Sequence, residues 1–255
     1  HGRTTTIVGF SSEDDYRKGF GPFTPGFVTV PYNDLEALAA AITPRTCAFL
    51  VEPIQCEAGI IIPSRGYRGE VAKLCRDRNV LLLVDEIQTG LGRTGAWFAC
   101  QHEGVQPDIY ILGKALSGGS YPVSAIVGRR DVMDLFSPGS HGSTYGGNPL
   151  GCAVARAALQ VLSEERLVER AASWGATLLD ALNPLEGGLV REVRGRGLLV
   201  GVELTGSARP YCEKLMERGV LCKETHEHVI RLAPPLVISE ADLLWMVEQI
   251  QAVLS

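Results

Sequence analysis

Val80-Leu81-Leu82-Leu83-Val84-Asp85 is an unbroken apolar run that ends on a carboxylate. Such a run reads as a strand buried on both faces, because a strand with one wet face alternates apolar and polar residues. Similar segments flank it. Cys47 to Glu52 is a short apolar strand, Asp108-Ile109-Tyr110-Ile111-Leu112 is another, and Ser124-Ala125-Ile126-Val127 follows. Helical spacing separates them: Asp34 caps a helix through Leu35, Leu38 and Ile42, and Gly66 to Arg78 repeats at the helical period. Alternating strands and helices predict an α/β fold with a mostly parallel sheet and helices on both faces.

Residues 11–34, rich in Gly, Pro and aromatics, read as a long ordered loop. A long helix covers Leu150 to Leu162. Beyond it, Val190 to Val193, Leu198 to Leu204 and Val229 to Leu232 read as strands. Arg209 to Arg218 reads as a helix, and Ser239 caps a final amphipathic helix, Glu240 to Leu254. A boundary near residue 164 is therefore expected. Residues 1–164 form part of a large domain, and 165–255 form a smaller C-terminal α/β domain.

Composition narrows the function classes. At 255 residues, 45% apolar and 21% charged, the chain is globular rather than disordered or coiled-coil. Its 24 Lys and Arg against 29 Asp and Glu give −5 with no basic run, which argues against a nucleic-acid or anionic-membrane partner. The longest apolar stretches are too short to span a bilayer. The seven cysteines are odd in number and have neither CxxC nor metal-ligand spacing, so no metal is expected. Free thiols fit the reducing cytoplasm, or a mitochondrial matrix. The opening His1-Gly2-Arg3-Thr4, without an initiator Met, reads as a start within a longer protein.

Ligands of open α/β sheets gather at the carboxyl ends of the strands. Two titratable residues lie there: Asp85, ending its strand, and Lys114, one glycine past Leu112. A lysine in that position is desolvated and suits covalent carbonyl chemistry, and a neighbouring carboxylate suits a protonated pyridine nitrogen. Position alone equally allows a helix cap for Asp85 and a solvated Lys114. Two further segments favour chemistry. Small residues crowd the lysine in Lys114-Ala115-Leu116-Ser117-Gly118-Gly119, and His141 to Gly151 is a glycine- and hydroxyl-rich loop that opens the long helix and suits a phosphate.

These segments carry a family resemblance. With Gly19-Phe20-Gly21-Pro22-Phe23, Val51-Glu52-Pro53-Ile54-Gln55, Asp85 to Gly95, Leu112 to Gly119, His141 to Gly151 and Ile230 to Leu236, the chain resembles the class III (fold-type I) pyridoxal-phosphate aminotransferases over His1 to Ser255. Lys114-Ala115-Leu116-Ser117-Gly118-Gly119, Tyr121-Pro122-Val123-Ser124 and the stretch from Ala208 to His226 are most similar to the ornithine aminotransferases within that class.

The resemblance implies pyridoxal 5'-phosphate (PLP) as cofactor and transfer of the δ-amino group of L-ornithine to 2-oxoglutarate. Lys114 matches the lysine that bonds the cofactor and moves the proton, Asp85 the aspartate on the ring nitrogen, and Gln88 the residue near the ring hydroxyl. Ser143 and Thr144 match the loop reaching the phosphate of a neighbouring subunit's cofactor, which implies a homodimer with active sites at the subunit interface. Arg3, Glu57 and Arg231 match substrate-carboxylate recognition, with Glu57 pairing Arg231 while ornithine reacts and releasing it for glutamate. Without the family, Glu57 and Arg231 read as a structural salt bridge.

Two departures stand out. Cys56 replaces the family's glycine in Gln-Gly-Glu-Ala-Gly, placing a thiol beside Glu57 that is expected to crowd it or to be oxidised. The family's first part, with its phosphate cup and stacking aromatic, lies outside the 255 residues, on a separate chain or removed. The alternatives are an N-acetylornithine or 4-aminobutyrate aminotransferase, or an incomplete fragment serving as an assembly module.

Overall fold

The computed structural model describes residues 2–255. His1, where the resemblance begins, lies outside the described residues. Two short helices, α1 (Thr5–Gly9) and α2 (Asp14–Arg17), start the chain. The second interrupts the stretch read as loop.

The sheet built around Leu81–Asp85 has four strands, β1 (Ala48–Val51), β2 (Leu81–Asp85), β3 (Ile109–Leu112) and β4 (Ala125–Gly128), hydrogen-bonded in that order. Helix α3 (Leu35–Ala41) begins where Asp34 Oδ1 accepts the Ala37 N–H at 2.8 Å. It packs with α4 (Tyr67–Asp77) beside β2. Leu38, Tyr67, Val71, Cys75, Leu82 and Val84 close that core. The first three strands are parallel, as the apolar runs require. The fourth departs from the parallel reading. It runs antiparallel to β3, and its first three residues are exposed. The physical reason is the connection: residues 113–124 hold only a short 3-10 turn, Lys114–Ser117, instead of a crossover helix, so the chain doubles back.

After the short helix α5 (Arg130–Met133) comes α6 (Pro149–Glu164). Asn148 caps it through the Gly151 N–H, with Pro149 at the first helical position. Helix α6 packs on the 3-10 turn that starts at Lys114.

The second sheet is antiparallel in the order β5 (Val190–Arg196), β6 (Leu199–Leu204), β8 (Val229–Leu232), β7 (Lys223–Thr225). Helices α7 (Leu167–Leu182), α8 (Arg209–Glu217) and α9 (Glu240–Leu254) cover it. Leu178, Leu182, Val200, Val202, Leu215, Ile230, Leu243 and Ile250 are shut off from solvent, each burial worth about 1.5–3 kcal/mol.

The two sheets meet through the loop after β2. Arg93 donates from Nη1 to the carbonyls of Leu198 (2.9 Å) and Pro234 (2.6 Å), and its own carbonyl accepts the Leu198 N–H. Beside it the backbones touch. A Cβ on Gly175 of α7 would lie 2.3 Å from the Gly197 carbonyl oxygen, and one on Gly197 would lie 2.4 Å from the Thr94 carbonyl carbon. Only glycine allows that approach. Gly175→Ala is therefore expected to destabilise the fold by about 1–3 kcal/mol through overpacking against backbone, read as a lowered midpoint of thermal or urea unfolding. An unchanged midpoint would show that the contact yields without cost.

Candidate active site

Glu52, Asp85 and Lys114 lie at the carboxyl ends of β1, β2 and β3, whereas Glu57, Gln88 and Arg231 reach the site from two loops and from within β8. Val51 of β1 pairs with Val84 of β2, so the next rung at the carboxyl edge brings Glu52 beside Asp85. Asp85 is 5% exposed, and its Oδ1 accepts the Ile87 N–H at 3.0 Å. Glu86 points the other way into the core. Its two oxygens accept from Thr89 Oγ1 (2.5 Å), Ala99 N (3.0 Å) and Cys100 N (2.9 Å), so it shapes the loop rather than serving the site.

Lys114 follows Gly113 at the end of β3 with φ +42, a conformation that costs a non-glycine residue free energy and that clusters at functional sites. Together with Tyr121, Pro122, Val123 and Ser124 it lines an open hollow of about 370 Å³. Burial pushes the Lys114 amine below its ordinary range. Glu57 and Asp85 oppose that shift and Arg231 reinforces it, so all three lie within its electrostatic reach.

Glu57 Oε1 accepts from Arg231 Nη1 at 2.6 Å and from Gln88 Nε2 at 3.3 Å. Burial raises the Glu57 carboxyl, but the Arg231 hydrogen bond and charge outweigh it and hold the group below the usual carboxylate range. The second sheet fixes the loop beneath. Thr225 Oγ1 donates to the Glu57 carbonyl, and Arg194 Nη2 donates to the Gly59 carbonyl at 2.7 Å. Ile60 sits in the same loop at φ +55, strained for a β-branched residue.

Glu57, Gln88 and Arg231 thus come into direct contact, with Lys114 and Asp85 around them. Gln88 meets the glutamate, a contact the sequence reading did not include. Arg3 is exposed and stacks over the Tyr16 ring at 3.9 Å. Ser143 and Thr144 lie on an exposed loop, where Ser143 Oγ accepts the Gly146 N–H.

Cys56 corrects an expectation. Its side chain is turned away into a small core with Ile54, Ile60 and Leu199, and its thiol bonds the Ile54 carbonyl. Burial pushes that thiol up to about 12, so it is neutral, fully buried and placed neither to crowd Glu57 nor to meet an oxidant.

The sequence reading missed Glu52 and Arg93. Burial, with Asp85 adding to it, pushes Glu52 up to about 7. The signal for it was available, since Glu52 ends an apolar strand just as Asp85 does.

The donor set fits an aldehyde cofactor with a ring nitrogen: an amine of lowered basicity on a hollow, and a shielded carboxylate at the neighbouring strand end. No group of three or more metal-ligating side chains occurs among the described residues. No described helix is long and apolar enough to cross a membrane.

A two-sheet α/β fold with a lysine and an aspartate at adjacent strand ends defines a fold-type I transferase. The chain belongs to the family Aminotransferase class-III, whose model matches residues 1–254. It is 58% identical over 254 residues to an ornithine aminotransferase of Brevibacillus brevis, covering all of this chain and 64% of that protein. It therefore spans just under two thirds of that relative's length. The ornithine aminotransferase of Toxoplasma gondii superposes with a TM-score of 0.97 at 47% identity, over 99% of this chain and 62% of that one. A second structure of that enzyme is described as having partial occupancy of PLP at the active site. An acetylornithine aminotransferase of Elizabethkingia anophelis superposes with a TM-score of 0.86 at 48% identity, over 91% of this chain and 63% of that one.

Proposed function

We propose that the protein is a PLP-dependent aminotransferase that moves the δ-amino group of L-ornithine to 2-oxoglutarate, giving glutamate-5-semialdehyde and glutamate. The family and the donor set support the cofactor. Lys114 would bond it, Asp85 would face its ring nitrogen, and Gln88, Ser143 and Thr144 would hold its periphery. When bound, it supplies an electron sink for the carbon that exchanges the amino group.

The chain's own residues do the rest. Lys114, less basic than an ordinary lysine because burial disfavours its ammonium form, takes and returns a proton at Nζ. Asp85 is shielded from water, which keeps its charge effective at short range. Arg3 and Arg231 bind carboxylates, for which the guanidinium fork is matched.

The Glu57–Arg231 ion pair carries the ornithine assignment. A substrate that presents a distal amine brings no carboxylate near Lys114, so an inner arginine must be neutralised by the protein. Glutamate presents its α-amine with the α-carboxylate close by, and needs that arginine free. Glu57, only half-shielded and held by Gln88 as well, is placed to alternate between the two. Glu57→Ala is expected to shift the single-turnover ratio of the two half-reactions toward glutamate by about tenfold, equivalent to about 1.4 kcal/mol, and to let ornithine react at its α-amine. An unchanged ratio and regiochemistry would make the pair a structural salt bridge.

The E. anophelis neighbour favours a second reading, N-acetylornithine as donor. Turnover with N-acetylornithine above that with ornithine would establish it. We place the division between the two domains near residue 164. A second copy of the chain is the proposed partner, supported by the exposed Leu135, Phe136, Tyr145 and Leu150 around the Ser143–Thr144 loop.

A further inference from the structure

We propose that Arg194 is a positioning residue that sets the Glu57–Arg231 ion pair, by clamping the loop that carries Glu57 onto one rung of the second sheet. Its bearing on substrate choice rests on the function proposed above, whereas the clamp itself rests on the geometry of the two sheets.

Strand register makes the rung. Arg194 of β5 lies opposite Gly201 of β6, and Gly201 lies opposite Arg231 of β8. Opposed residues of antiparallel strands project to the same face, so the two arginines share a face with the glycine between them. The alternate residues Val200, Val202 and Ile230 turn to the core beneath the helices.

The loop after β1 lies across that rung. At one end Arg231 Nη1 donates to Glu57 Oε1 at 2.6 Å. At the other, Arg194 Nη2 donates to the Gly59 carbonyl at 2.7 Å, and its Nε donates to the Gly59 and Ile60 carbonyls at 3.2 and 3.1 Å. Between them Ile60, fully buried, fills the notch over Gly201, where an added Cβ would lie 3.0 Å from the Ile60 Cβ.

Arg194 is itself held. Its Nη1 donates to Glu192 and Glu203, both at 2.6 Å, and its side chain is only 12% exposed. The planar guanidinium thus joins two loop carbonyls to two carboxylates of its own sheet. The loop it grips is strained, with Gly59 at φ +113 and Ile60 at φ +55, a conformation that persists only where the surroundings impose it. With the backbone clamped, Glu57 changes partner by side-chain rotation alone. Releasing the clamp lets the turn relax and carries Glu57 off Arg231.

The first readout is the titration of Glu57 in the whole protein labelled with ¹³C-glutamate, its signal assigned by loss in Glu57→Gln. Burial raises this carboxyl, and Arg231, Gln88 and Lys223 together lower it, with Lys114 and Glu52 also in reach. Arg194→Met is expected to raise the Glu57 midpoint toward that of an ordinary glutamate. Gly201→Ala, which pushes on Ile60, is expected to do the same. It changes no charge, so its shift cannot come from the field of a lost cation, and it carries the test if Arg194→Met does not fold. The second readout is the ratio of the two half-reactions in the PLP-loaded protein, with ornithine and with glutamate. Both variants should move it toward glutamate by about threefold or more, and the double variant of Arg194→Met with Glu57→Ala should go no further than Glu57→Ala alone. A Glu57 midpoint that stays at the parent value in the folded variants would make Arg194 a structural residue and overturn the proposal. A shifted midpoint, with the parent ratio unmoved by Glu57→Ala, would uphold the clamp and overturn the ornithine reading instead.

Discussion

Lys114→Ala is expected to remove nearly all turnover and every borohydride-fixable pyridoxyl peptide from the protein. The lysine is the only side chain of the hollow, among the described residues, with an amine. Loss of a positioned proton-transfer group is worth about a hundredfold to ten-thousandfold in rate. Its titration gives a separate check. Burial disfavours the ammonium form, so the neutral amine gains at a pH below that of an ordinary exposed lysine. The pH midpoint for trinitrobenzenesulfonate labelling of Lys114 should therefore fall below that of a lysine model peptide. A covalently reduced pyridoxyl group on another lysine of the Lys114→Ala protein would overturn the assignment.

Asp85 has two readings that one substitution separates. Its Oδ1 accepts the Ile87 N–H at 3.0 Å, the contact an ordinary turn cap makes. Asp85→Asn keeps an oxygen for that bond and removes the negative charge. If Asp85 acts through its charge on a ring nitrogen, Asp85→Asn and Asp85→Ala should lose rate alike, by about a hundredfold to a thousandfold. If it is only a cap, Asp85→Asn should turn over normally while Asp85→Ala loses stability. Stopped-flow rates and an unfolding midpoint on both variants distinguish the two.

The main features of both sheets were legible because they rest on local rules. Apolar runs ending at Glu52, Asp85 and Leu112 became the three parallel strands, and Asp34 and Ser239 cap their helices with their own side chains. Non-local features were not legible. The reversed direction of β4 follows from the short connection after Lys114, which composition does not encode. Strand β7 is three residues long, too short for periodicity to mark. Helix α7 was passed over although its apolar positions Leu167, Ala171, Leu178 and Leu182 repeat at helical spacing.

The candidate site divides in the same way. Asp85 and Lys114 follow from their strand ends, whereas Glu57, Gln88 and Arg231 come from three separate segments that only the meeting of the two sheets unites. Cys56 shows the limit of reading neighbours along a chain. It is adjacent to Glu57 in sequence, yet its thiol faces the opposite side of the loop. The loop's anchorage explains this, since Thr225 and Arg194 bind its carbonyls from the second sheet and turn Cys56 inward.

Under the proposed function, this site takes nitrogen from the distal end of a diamino acid. The most direct measurement supplies ornithine labelled with ¹⁵N only at the δ-position, with 2-oxoglutarate and PLP, and follows the label by mass spectrometry. The ¹⁵N is expected in glutamate, while the ornithine-derived product keeps an unlabelled α-nitrogen. Label retained in the ornithine-derived product, with unlabelled glutamate formed, would contradict it.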